Sequence, residues 1–124
     1  MLHHNIPPGL YIESVQVGSS VTCNPPIVDS DIDFLILCHL HGMDTIEEYM
    51  LGDRYRECSI KHPHFKSFRR GRLNVTVTCQ PIFFHKSLLA HKLAKRFNLL
   101  DKRDRIALFH AIIHGEDVDA WPGF

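Results

Sequence analysis

The stretch Asp31-Ile32-Asp33-Phe34-Leu35-Ile36-Leu37-Cys38 limits the fold more than any other part of the chain. It opens as an alternation of polar and apolar residues and closes as an unbroken apolar run, which suits a strand buried in mid-sheet with an exposed start. Such a strand needs neighbours at both edges, and the sequence offers them. Leu10 to Val17 is apolar, β-branched and partly alternating after Pro7-Pro8-Gly9, and Gly18-Ser19-Ser20 ends it. Arg72 to Thr78 alternates and is β-branched, which predicts a third strand. Between the first two strands, Val21 to Ser30 has the composition of an ordered loop, with Pro25-Pro26 inside it.

Helix signals fill the remainder. Asp44 to Leu51 reads as a short helix with Asp44 as N-cap, Glu47 three residues on and Gly52 as the stop. Pro81 opens a long helix as its first residue, with Phe84, Leu88, Leu89, Leu93 and Phe97 marking the apolar face. Asp101 caps a last helix striped by Ile106, Ala107, Phe109, Ile112 and Ile113 and ended by Gly115. Asp53 to Gly71 is basic, rich in aromatics and without a clear period. The order strand, strand, helix, basic loop, strand, helix, helix predicts an α+β fold, a small mixed sheet backed by helices, with one side the simplest arrangement. A chain of 124 residues without repeats or linkers is expected to form one domain, 1–124.

Net charge is zero, yet the charges are segregated. Residues 1–52 hold seven acids and no Lys or Arg, whereas residues 53–72 hold seven bases against Asp53 and Glu57. Acids in one block and bases in the next suggest a site where a metal or polyanion is handled between them. No run reaches the roughly 18 apolar residues of a membrane span, and no secretory leader precedes the first strand, so the expectation is a cytoplasmic protein without membrane association. Cys23, Cys38, Cys58 and Cys79 form no CxxC pair, which favours reduced thiols.

The chemistry concentrates between Val17 and Leu37. Alternate residues of a strand share a face, so Asp31 and Asp33 point the same way, about 6.5–7 Å apart at Cα. Two carboxylates held together repel unless a cation lies between them, and hard oxygen donors suit Mg²⁺ or Mn²⁺. Upstream, Gly18 permits close backbone approach to a phosphate and Ser19 adds a hydroxyl donor.

Gly18-Ser19, then eleven residues, then Asp31-Ile32-Asp33 and an apolar strand resembles the signature of the nucleotidyltransferase superfamily, the polymerase-beta-like fold. Asp29-Ser30-Asp31-Ile32-Asp33 is similar to the Ser-Asp-hydrophobic-Asp core of its minimal members. The later segments Arg69 to Thr78, Leu93-Ala94-Lys95 and Asp101 to Phe109 look like small nucleotidyltransferase-like proteins of tailed phages, a setting that implies the host cytoplasm. The resemblance implies transfer of a nucleoside monophosphate from an NTP to a hydroxyl of RNA, protein or a small molecule, with release of pyrophosphate. It implies Asp31 and Asp33 as metal ligands, and Gly18, Ser19 and Ser20 as the phosphate cradle. The family has a third carboxylate on a later strand; here Asn74 takes that place in the expected catalytic set, with Thr76 on the same face and Glu13 or Asp29 as possible spatial substitutes. A degenerate member acting as a binding or inhibitory protein is the alternative.

Lys61 to Arg72 interleaves cations with aromatics, which predicts that Arg69, Arg70 or Arg72 grips the triphosphate or an RNA acceptor. Ten histidines are many for this length. Cys38-His39-Leu40-His41, Cys58-x3-His62-x-His64 and the His110/His114 pair carry zinc-ligating types without the paired short spacing of a zinc knuckle, so most of these side chains are expected at the surface or in hydrogen bonds.

Overall fold

The apolar run of the sequence becomes the second strand of a five-stranded mixed sheet. The computed structural model describes residues 3–18, 31–58 and 64–114. Strand β2 (Ile32–Leu37) pairs antiparallel with β1 (Glu13–Val17) and parallel with β5 (Leu73–Thr78). β4 (Lys66–Arg70) adds antiparallel to β5, and the two-residue β3 (Arg56–Glu57) closes the sheet, giving the order β1-β2-β5-β4-β3. Among the described residues three α-helices accompany it: α1 (Met43–Gly52), α2 (Pro81–Arg96) and α3 (Lys102–His114). The fold is α+β, a small mixed sheet backed by helices.

The helices divide between the two faces rather than gathering on one. Phe34 and Ile36 of β2 pack with Val75, Val77 and Phe68 against Ile46 and Met50 of α1. Leu35 and Leu37, of the opposite parity, join Val15 and Val17 against Phe84 and Leu88 of α2. The cause lies in β2 itself. Its apolar residues occupy both parities, each worth roughly 1.5–3 kcal/mol when removed from water, so a bare face would forfeit several such terms. Helix α3 packs on α2 through Ala90, Leu93 and Ile112.

Several local expectations shift. Residues 8–10 form a 3-10 turn and the first strand starts at Glu13, although the Ile12 amide still donates to Leu37 O at 2.7 Å. Pro7 and Pro8 supply no amide hydrogens for strand pairing, which favours the turn. Helix α1 begins at Met43 because the turn Leu40–Gly42 runs directly into it; Asp44 sits in the first turn and not at the N-cap. The basic segment is not irregular throughout: residues 59–63 lie outside the described residues, but its flanks form β3 and β4. Pro81 does open α2, and Asp101 Oδ1 accepts the Arg103 amide at 2.8 Å as the cap of α3. Phe97, expected on the apolar face, is 57% exposed, whereas Ala90 and Ala94 are buried where α2 meets its neighbours. Gly115 lies outside the described residues. No helix among them is long and apolar enough to cross a membrane.

One cross-strand row positions the candidate site. Val17 pairs with Asp33, Asp33 with Asn74, and Asn74 with Arg69. Because side chains alternate along each strand, these residues share the face that α2 covers.

Candidate active site

Asp33 stands at the centre of that row. Its Oδ1 accepts a hydrogen bond from Asn74 Nδ2 at 3.1 Å. Behind it the chain leaves β1 at Gly18, whose φ of +87° belongs to the left-handed region. A Cβ at Gly18 would collide with the Asp33 carboxylate, so the close approach of backbone to carboxylate requires glycine here. Gly18→Ala is expected to destabilise the fold by about 2 kcal/mol in urea denaturation. That sums 1–2 kcal/mol of left-handed strain and about 1 for the disturbed Asp33–Asn74 bond, less a few tenths gained from a stiffer unfolded chain. An unchanged midpoint would mean that the turn relaxes freely.

Asp31 lies just before β2, on the same parity as Asp33. Its Oδ2 accepts from Arg69 Nη2 at 2.7 Å, an ion pair whose side chains are 44% and 38% exposed respectively. The two carboxyls are driven apart in acidity. The Arg69 hydrogen bond holds Asp31 below the usual carboxylate range, with Lys102 and Arg72 adding to the effect. Burial raises Asp33, and the charge of Asp31 raises it further against the Asn74 hydrogen bond.

These residues sit in a cleft of about 950 Å³ between the sheet and the α2–α3 pair. Gly18, Asp31, Asp33, Arg69 and Asn74 line the sheet side; His91, Lys102, Arg105, Phe109 and His110 are among the residues on the helical side. The cleft is mixed in polarity and carries both signs of charge, which suits an anionic ligand with an apolar part.

The sequence-derived candidates thus separate. Gly18, Asp31, Asp33, Asn74 and Arg69 come together. Arg72 is exposed in the β4–β5 turn, near enough to act on Asp31 electrostatically. Arg70 does not join them. Strand pleating turns it to the α1 face, where Nη1 donates to Asp53 Oδ2 at 2.8 Å and to Asp53 O at 3.0 Å, and the guanidinium lies 4.6 Å from the Tyr55 ring centre. Ser19, Ser20 and Asp29 lie outside the described residues. Glu13 pairs with Leu37 at the far end of the strands, so it cannot replace a carboxylate in the cleft. Thr76 is engaged with Ser67, Oγ1 to Oγ at 3.3 Å.

Sequence reasoning missed the helical wall. Its signal was the pair of cations Lys102 and Arg103 in the first turn of α3, where the helix dipole disfavours positive charge. Arg105 fixes the turn before that helix, donating to Leu99 O and Leu100 O at 2.9 and 2.8 Å. Among the described residues no zinc-ligating group assembles. The Cys38 thiol is buried, raised by that burial to about 11, and donates to Met43 Sδ at 3.2 Å; His64 Nδ1 bonds to Gln80 Oε1 at 2.8 Å. His62 lies outside the described residues.

Among the described residues no three His, Cys, Asp or Glu side chains converge as a metal site, so a cation in the cleft would depend on two carboxylates and an amide. One observation fits that set. Among the described residues Asn74 Oδ1 is buried with no hydrogen-bond partner, beside a carboxylate whose ionised form burial disfavours. Orphaned oxygens of this kind cost free energy unless something occupies them. Two carboxylates and an amide oxygen are hard donors of the type Mg²⁺ and Mn²⁺ accept while keeping water ligands. No protein-family model, curated protein or solved structure matches this chain.

Proposed function

We propose that the cleft binds a nucleoside triphosphate with a divalent cation and transfers its nucleoside monophosphate to an acceptor hydroxyl. The observation that carries this reading is the juxtaposition of Gly18 with Asp33, and of Asp33 with Asp31, at the sheet wall of the cleft. A glycine turn, two carboxylates on one strand face and an orphaned amide oxygen form a cation-holding group beside space for a polyphosphate.

Asp31 and Asp33 would hold Mg²⁺ or Mn²⁺, with Asn74 Oδ1 as a neutral third donor. When bound, the cation neutralises charge on the triphosphate and polarises its oxygens. The chain's own cations serve the remaining anionic charge: Lys102 at the mouth, and Arg69 once it leaves Asp31. In the reaction, the acceptor oxygen forms a bond to the α-phosphorus, the bond to the bridging oxygen breaks, and pyrophosphate departs. The hydroxyl proton passes to a carboxylate oxygen of the cleft that the cation does not engage. The apolar side chains Leu100, Ile106 and Phe109 give the nucleoside an apolar wall to lie against.

The test is incubation with each α-labelled NTP, Mg²⁺ or Mn²⁺, and RNA, protein and small-molecule acceptors. Calorimetric titration of Mg–NTP is run beside it. Metal-dependent NTP binding and label transfer are the expected results; absence of metal-dependent binding would remove the proposal. Asn74 supports a second reading, because it gives the central row no negative charge and no effective base. On that reading the fold binds nucleotide without turnover, and calorimetry shows tight Mg–NTP binding while no acceptor takes label.

A further inference from the structure

Two adjacent arginines of β4 are held very differently. Arg70 has two hydrogen bonds to Asp53 and the Tyr55 ring beneath it. Among the described residues the Arg69 side chain has a single hydrogen bond, to Asp31 at 2.7 Å; its pair is about as exposed as that of Arg70 but lacks the second hydrogen bond and the ring. Exposed pairs of this kind contribute little to stability and break readily. What Arg69 does instead is occupy one oxygen of a carboxylate that belongs to the cation-holding group.

We infer that Arg69 is a stand-in cation, which holds Asp31 in the cleft while no metal is bound and must leave when a divalent ion loads. The inference rests on the reading of Asp31 and Asp33 as metal ligands. Without a cation, two carboxylates in one cleft repel, and the guanidinium against Asp31 Oδ2 offsets that repulsion. A divalent ion on the same carboxylate meets that guanidinium at short range. Like charges so placed repel, and Asp31 Oδ2 cannot serve both at full strength. Metal loading therefore competes with the ion pair.

The register makes the displaced arginine useful. Arg69 pairs with Asn74, which pairs with Asp33, so its stem is fixed by the sheet at the cleft wall whichever partner its tip holds. Released from Asp31, the guanidinium stays within reach of anionic oxygens in the cleft, where arginine binds phosphate through paired N–H groups. A triphosphate that draws Arg69 away favours metal loading, and the bound metal favours the triphosphate by the same factor. Arg69 thus couples the two ligands.

The sign of the effect separates this role from a structural one. Mn²⁺ is titrated into the full-length protein without nucleotide, by calorimetry or by loss of the free-ion paramagnetic resonance signal. Arg69→Gln is expected to tighten Mn²⁺ binding roughly two- to five-fold, the range of one partly exposed ion pair, while Arg69→Lys stays nearer the wild type. Thermal unfolding of both variants should match the wild type. With Mg–ATP present, the gain in metal affinity caused by nucleotide should be smaller in Arg69→Gln than in the wild type. Unchanged or weaker Mn²⁺ binding by a folded Arg69→Gln protein overturns the inference and leaves the metal reading standing. Binding by Arg69→Gln alone supports it, as a wild-type site closed at rest. Binding by neither protein defeats the metal reading and the stand-in role together.

Discussion

Asp33→Ala is expected to reduce metal-dependent label transfer by roughly 10²–10³-fold, the usual cost of deleting one preorganised charge-stabilising group. Asp31→Ala should fall in the same range, since the two side chains share one face of β2 and one cleft. The stability of an Asp33 variant should move the other way. Burial and the neighbouring Asp31 charge raise the Asp33 carboxyl above its ordinary range. A group raised in this way contributes stability below its unfolded value, and that contribution is lost as pH rises through the folded value. At neutral pH the carboxyl is therefore a cost to the folded state. Asp33→Asn removes it, and its amide can satisfy the orphaned Asn74 oxygen once the pair reorients. A gain of about 1 kcal/mol at pH 7 in urea denaturation is expected, within the range of substitutions that relieve a functional site. Transfer that persists at wild-type rate in both alanine variants removes Asp31 and Asp33 from the chemistry. A loss of stability in Asp33→Asn would show instead that the carboxylate is kept for the fold.

What the sequence disclosed, and what it withheld, follows from where apolar residues lie. Strands β2 and β5 and helix α2 were readable because each carries a dense apolar pattern. The hairpin of β3 and β4 was not. In Lys66-Ser67-Phe68-Arg69-Arg70 only Phe68 is buried, and the flanking positions on its face are cations that reach acids of or just beyond α1. A strand held by one aromatic and two ion pairs has no hydrophobic period to read. The same gap misplaced Arg70. Once residues 66–70 are a strand, adjacent arginines must face opposite ways, and only Arg69 can reach the carboxylates. The second face of helical cover was implicit in β2, whose apolar residues fill both parities, but the sequence does not say which helix takes which face. The spacing from Gly18 to Asp33 brought the sheet half of the cleft into view. Its helical half depends on how α3 docks on α2, a long-range packing outcome that no local motif encodes.

His4 carries the other large expected effect, and it is a test of the α1 side of the fold. The imidazole is fully buried at the start of the described chain. Its Nδ1 accepts the Ile6 amide at 2.9 Å, which puts the ring proton on Nε2, and Nε2 donates to Ser14 Oγ at 2.8 Å. That arrangement leaves Nε2 no lone pair with which to take the Ser14 proton, so the pair is a structural tie and not a nucleophile with its base. Burial, aided by the neighbouring His3 ring, pushes His4 down to about 4. The unfolded chain therefore binds this proton more tightly than the folded one. The contribution is complete above the unfolded value near 6.5 and is lost as pH falls from there towards 4. Over that window the loss amounts to about 3 kcal/mol for a group with no solvent contact. His91, also lowered to about 4 by burial and Arg105, acts in the same direction, but it is only half-buried and solvent screens part of its effect. Urea denaturation at pH 7.5 and pH 4 should show the wild type losing about 3 kcal/mol more than His4→Asn. That variant keeps an acceptor for the Ile6 amide but has no proton to gain. The carboxylates common to both proteins cancel in the difference. Parallel losses in the two proteins would mean that His4 takes up its proton without leaving the folded state, and that the His4–Ser14 tie is not what fixes the N-terminal segment to β1.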